Sequence, residues 1–74
     1  MDKSSREVER QLGVVKEALP GLDFKVSLVE KPDHELIAYL GGRMKMHRIR
    51  ILPGDKVLVE VAPDGRRGRI VRRI

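Results

Sequence analysis

Four prolines divide this chain, and each stands in a turn signal: Leu19-Pro20-Gly21, Lys31-Pro32-Asp33-His34, Pro53-Gly54-Asp55 and Pro63-Asp64-Gly65. Proline fixes φ and removes a backbone donor, while the adjoining Gly and Asp supply the backbone freedom and side-chain acceptors that tight corners use. The pieces between corners read as strands. Phe24, Val26 and Leu28 alternate with Lys25, Ser27 and Val29, and Leu36 to Leu40 reads as the return strand of a hairpin. Val57, Val59 and Val61 share one strand face, and Arg69 to Ile74 alternates Arg with aliphatic residues as a last short strand.

Residues 4–19 admit two readings. Val8, Leu12, Val15 and Leu19 fall at helical spacing, and Ser4-x-x-Glu7 has the form of a capping box. Against a helix, Leu12 to Leu19 is rich in Val, contains Gly13 and runs into the first proline corner. Residues 1–6 read as a flexible tail and residues 7–74 as one domain. With that segment as a strand, the chain has five short strands and a basic connector between the third and fourth, long enough for a turn or two of helix. That pattern matches the OB-fold, an all-β, five-stranded Greek-key barrel that commonly binds oligonucleotides. Small SH3-like barrels have similar strand counts.

A chain of 74 residues without Cys must find its stability in one economical core, since neither a disulfide nor a thiolate metal site can staple it. A closed barrel supplies such a core. No apolar run approaches the roughly 20 residues of a membrane span, and MDKSSREVER is no signal peptide. The expectation is a cytoplasmic protein with no membrane association.

Charge is distributed unevenly. Residues 1–36 carry six Lys or Arg against eight acids, whereas residues 37–74 carry ten against three. Arg43, Lys45, Arg48 and Arg50 form one cluster in the connector, with no acid before Asp55. Arg66, Arg67, Arg69, Arg72 and Arg73 form another. Such density is self-repulsive in isolation and calls for a polyanion. Arg predominates, and its planar fork suits phosphate and base stacking, so nucleic acid is favoured over acidic lipid. Phe24 and Tyr39 are the only aromatics apart from the two histidines. Binders of general single strands stack successive bases on several rings, so this composition points to structured RNA read through charge and shape. Met44 and Met46 alternate with the connector cations, and Met44 is expected to pack in the core. His34 and His47 are isolated, without Cys or a carboxylate cluster, and Gly41-Gly42 lacks P-loop spacing. No catalytic residue, metal or cofactor is expected.

Several of these residues also carry a family resemblance. Gly13-Val14-Val15 through Leu19-Pro20, Phe24-Lys25-Val26, Ala38, Gly42-Arg43-Met44-Lys45, Ile49-Arg50-Ile51-Leu52, Gly54-Asp55-Lys56-Val57 and Gly68-Arg69-Ile70-Val71 resemble, in order, bacterial translation initiation factor one. His34 fits the same pattern. The resemblance spans about residues 11–72. It implies an OB barrel, which makes the first segment a strand, and a monomeric factor that binds the small ribosomal subunit at the decoding A site. There it would exclude premature transfer RNA, contacting ribosomal RNA and adjacent ribosomal proteins and working with other initiation factors. The RNA-binding residues so implied are Arg43, Lys45, Arg50, Arg69 and His34. Arg48, where the family lacks a cation, and Arg66 and Arg67, on a loop that flanks the groove in OB-folds, are further RNA-binding candidates from their charge and place. His47-Arg48 departs from the family's usual Asn-Tyr, and the 63–67 loop is shorter than usual. The rival readings are a cold-shock-like OB-fold RNA chaperone and a basic domain that meets an acidic protein.

Overall fold

The alternating segments close on themselves. The computed structural model of the protein describes residues 9–47 and 49–74. Its elements run β1 (Glu9–Leu19), β2 (Asp23–Leu28), β3 (Glu35–Leu40), α1 (Gly42–Met46), β4 (Lys56–Val61) and β5 (Arg67–Arg73), with a 3₁₀ turn at Pro20–Leu22. Around the barrel the order is β1-β2-β3-β5-β4 and back to β1. Every pairing is antiparallel except β3 with β5. This five-stranded order, with a helix between β3 and β4, is the OB-fold.

The segment with two readings is β1. Helical spacing loses there because the strand uses both of its edges: Glu9–Val14 pairs with β4, and Gly13–Leu19 pairs with β2. A β-bulge between Val15 and Glu17 bends the strand so that it can serve two neighbours. Gly13 lies where the two pairings overlap. A Cβ on it would stand 2.5 Å from Val26 Cγ1, so this close approach requires glycine.

Period-two patterning sends Phe24, Val26 and Leu28, then Leu36, Ala38 and Leu40, then Val57, Val59 and Val61 into one buried cluster with Val15 and Ile70. α1 adds Met44 to that cluster, as expected, while Met46 faces solvent. Closure removes the free sheet edges that an open sheet would leave exposed.

Two boundaries differ from the sequence reading. β5 begins at Arg67 rather than Arg69, because Ile37↔Arg67 and Ala38↔Gly68 already belong to its ladder with β3. Neither Arg67 nor Gly68 has an apolar side chain to announce the strand. The first proline corner extends to Leu22, which joins Gly21 at positive φ (65° and 75°). A non-glycine residue accepts that conformation at a cost of about 1 kcal/mol. The expected tail over residues 1–6 lies outside the described residues. Among the described residues, no helix is long and apolar enough to cross a membrane.

Candidate nucleic-acid interface

The basic connector is fastened to the barrel at both ends. Gly41 N–H donates to the Ile70 carbonyl (2.9 Å), and Arg73 Nη1 donates to the Arg50 carbonyl (3.0 Å). Between those ties, α1 turns Met44 into the core. Residues one step away on a helix are rotated by about 100°, so Arg43 and Lys45 flank the buried Met44 on opposite sides, both exposed.

Barrel closure then joins cations that are far apart in sequence. Arg10, Arg43, Arg69 and Arg72 rim a groove of about 480 Å³ with Leu58 and Val71 among its lining. Arg43 and Arg72 also line a neighbouring groove of about 340 Å³, with His47, Ile49 and Arg73. No acid lines either groove among the described residues. Arg10 and Arg69 are paired to Glu60, so the positive field that favours a polyanion comes from Arg43, Arg72 and Arg73. Lys45 and Arg50 are exposed beside this surface but line neither groove. Arg48 lies outside the described residues.

The second sequence cluster does not stay together. Arg72 and Arg73 join Arg43, whereas Arg66 and Arg67 sit at the opposite end of the parallel β3–β5 pair, where Ile37 N–H donates to the Arg66 carbonyl (3.0 Å). The loop there is a tight turn: Gly65 N–H donates to the Ala62 carbonyl (2.9 Å), and Asp64 Oδ1 accepts from Arg66 N–H (2.9 Å). His34 Nε2–H donates to the Gly65 carbonyl and ties this loop to the β2–β3 turn. His34 is therefore first a tether, and it is half-buried. An open groove of about 790 Å³ runs here, with Lys31, His34, Tyr39, Arg67 and Arg69 among its lining.

A charged ridge separates the two ends. Glu60 on β4 stands directly across from Arg10 on β1 and from Arg69 on β5. Arg10 donates to Glu60 Oε2 through Nε (3.0 Å) and Nη2 (2.9 Å), and Arg69 donates to Oε1 through Nε (3.2 Å) and Nη2. The Arg69 hydrogen bond, opposed by desolvation and aided by Arg10, holds the Glu60 carboxyl below its ordinary range. The same contact raises Arg69. Arg69 lines grooves on both sides of the ridge, so it is half strut and half surface.

The site residues inferred from sequence thus fall into two groups, Arg43, Lys45 and Arg50 at one end and His34, Arg66 and Arg67 at the other, with Arg69 between. Sequence reasoning missed Arg10, Glu60 and Tyr39. Arg10 and Glu60 are 50 positions apart, and only the β1–β4 register makes them neighbours. Tyr39 had a signal: it alternates with Leu36, Ala38 and Leu40, which puts its ring on the outer face of β3. Among the described residues, no group of three or more His, Asp or Glu is placed to hold a metal.

Comparison with known proteins adds the family. The model of the family described as translation initiation factor 1A / IF-1 matches residues 2–74. The solution structure of translation initiation factor one from the Wolbachia endosymbiont strain TRS of Brugia malayi is 36% identical, with a TM-score of 0.74 over 99% of this chain and 85% of that one. The crystal structure of YjeQ from Thermotoga maritima is 20% identical, with a TM-score of 0.72 over 89% of this chain but 23% of that one. The second likeness is one of fold alone.

Proposed function

This chain belongs to the translation initiation factor 1A / IF-1 family, and from that premise we propose that it binds the small ribosomal subunit at the decoding A site through ribosomal RNA. The family is one of initiation factors, not a catalytic class. In this reading the barrel acts by occlusion: it fills the site, keeps transfer RNA from entering early and assists assembly of the initiation complex with the other factors. The observation that carries the RNA contact is the meeting of Arg43 with Arg72 and Arg73 in a groove beside α1 that no acid lines among the described residues. Phosphate contacts of this kind position a protein on a folded RNA backbone. Arg43, Lys45 and Arg50 are the connector's contacts, Arg69 on β5 stands between the two ends, and Arg66 and Arg67 are contacts at the other end.

Chemical footprinting of small subunits, with and without the protein, tests the address. Protection confined to the decoding region is expected; diffuse protection, with equal affinity for free single-stranded RNA, would favour a general RNA chaperone. Reversing charge in the pair Arg43→Glu and Lys45→Glu is expected to weaken binding while the fold survives, because both side chains are exposed. The slope of log affinity against log salt should be shallower by about 0.7–0.9 for each phosphate that the variant no longer neutralises. Unchanged binding of that pair removes the connector from the interface.

A further inference from the structure

Two polar side chains are buried among the described residues, Ser27 and Glu60. Ser27 is accounted for by its hydrogen bond to the Pro32 carbonyl of the neighbouring turn (2.9 Å). Glu60 is a carboxylate on the middle strand of three, where burial costs desolvation that an apolar residue would avoid, so stability alone is a weak reason for it. Each of its oxygens takes one arginine: Oε2 accepts from Arg10 Nε and Nη2, and Oε1 from Arg69 Nε and Nη2. Both guanidiniums are thus gripped along the same edge, and Nη1 of each makes no hydrogen bond among the described residues. Both side chains stay exposed, and both line the groove beside α1 with Arg43 and Arg72. Glu9 and Glu60 line the groove on the far side of the ridge; neither lines this one.

We propose that Arg10 and Arg69 are two prongs of a preset clamp on the phosphate backbone of the partner RNA, and that Glu60 is the residue that positions both. The inference rests on the RNA-binding reading and adds to it Arg10, from the opposite end of the sequence, and the role of Glu60. The three side chains together carry one net positive charge, so they add little to the long-range field of Arg43, Arg72 and Arg73. Their advantage comes at contact. A free surface arginine loses rotamer freedom when it grips an anion, whereas Arg10 and Arg69 have already given up that freedom to Glu60. Nη1 of each is left to donate to a phosphate oxygen, and Glu60 itself touches no ligand.

Small-subunit affinity of Arg10→Gln and Glu60→Gln across a salt series tests this, at a temperature where thermal melts show each variant folded. The Arg43→Glu and Lys45→Glu pair is measured alongside. Arg10→Gln is expected to lose about tenfold in affinity, with a log–log salt slope shallower by about 0.7–0.9, the share of one phosphate. Arg10 is exposed, so this variant decides the matter even where Glu60→Gln fails to fold. Glu60→Gln separates positioning from screening by its sign. It removes a negative charge and adds one unit to the formal net charge of +5, so a Glu60 that merely screens gives tighter binding. A Glu60 that positions gives binding weaker by about fivefold, because one amide oxygen cannot hold both arginines and the released one must be ordered again on contact. Tighter or unchanged binding of Glu60→Gln overturns the proposal. So does wild-type affinity in Arg10→Gln, or a loss there with unchanged salt slope, either of which makes the triad a strut alone. In those cases a weakened connector pair leaves the RNA-binding reading standing; if the connector pair also changes nothing, that reading itself falls.

Discussion

Replacing Glu60 with Gln tests the ridge that joins three strands. The magnitude lies between two limits: exposed ion pairs contribute about 0–1 kcal/mol, and removing one partner of a buried pair costs about 3–5 kcal/mol. Glu60 is 9% exposed, but the Arg10 and Arg69 side chains are 60% and 46% exposed, so water screens one side of both contacts. A loss of about 2 kcal/mol is expected, in line with one or two charge-assisted hydrogen bonds. For a domain of this size that is a fall in melting temperature of about 8–16 °C. The pH profile carries the diagnosis. Glu60 is held below its ordinary range by Arg69 and Arg10, so the folded state releases its proton more readily than the unfolded chain. That stabilisation is fully present above the unfolded value of about 4.3 and is lost as pH falls through the lower folded value. Gln does not titrate, so the gap between wild type and variant, read by thermal melts at a series of pH values, should be constant from about pH 8 to 5 and narrow below about pH 4. A gap that stays flat to about pH 3, or one below about 0.5 kcal/mol at neutral pH, refutes the account of the ridge.

Gly68→Ala and Gly42→Ala should move stability in opposite directions. A Cβ on Gly68 would stand 2.6 Å from Val59 Cγ1 and 2.9 Å from the Glu60 carbonyl oxygen, whereas one on Gly42 meets nothing within 4 Å. Chemical denaturation is expected to show Gly68→Ala less stable by about 1–3 kcal/mol and Gly42→Ala unchanged or more stable by up to about 1 kcal/mol. Ile70→Ala leaves a void in the fully buried centre and should cost about 2–5 kcal/mol, with the midpoint moving at constant slope. His34→Ala removes the tether to Gly65; faster amide exchange at Gly65 with little change in melting temperature is expected, and unchanged exchange would show that the loop holds itself.

The barrel was largely legible because period-two alternation and proline corners are local signals. Val57, Val59 and Val61 can share a face only in a strand, and all three are buried. β1 was the exception: its bulge and its two pairing partners have no local signature, so helical spacing competed on pattern alone, and the family resemblance rather than the local residues implied a strand. The start of β5 was hidden for a similar reason, since Gly68 belongs to the strand through its ladder rather than through its side chain.

The sequence by itself determined the composition of the site: its excess of Arg, the connector between two strands, and the turns that fix where strands end. These follow from residue chemistry and spacing along the chain. Only the tertiary structure decided the grouping. It set Arg43 beside Arg72 and Arg73, sent Arg66 and Arg67 to the other end with His34, and drew Arg10 and Arg69 onto Glu60. The physical reason is register. In a closed barrel, which side chains meet depends on how strands distant in sequence are aligned, and the pairing of β1 with β4 and of β3 with β5 is fixed only when the whole core closes.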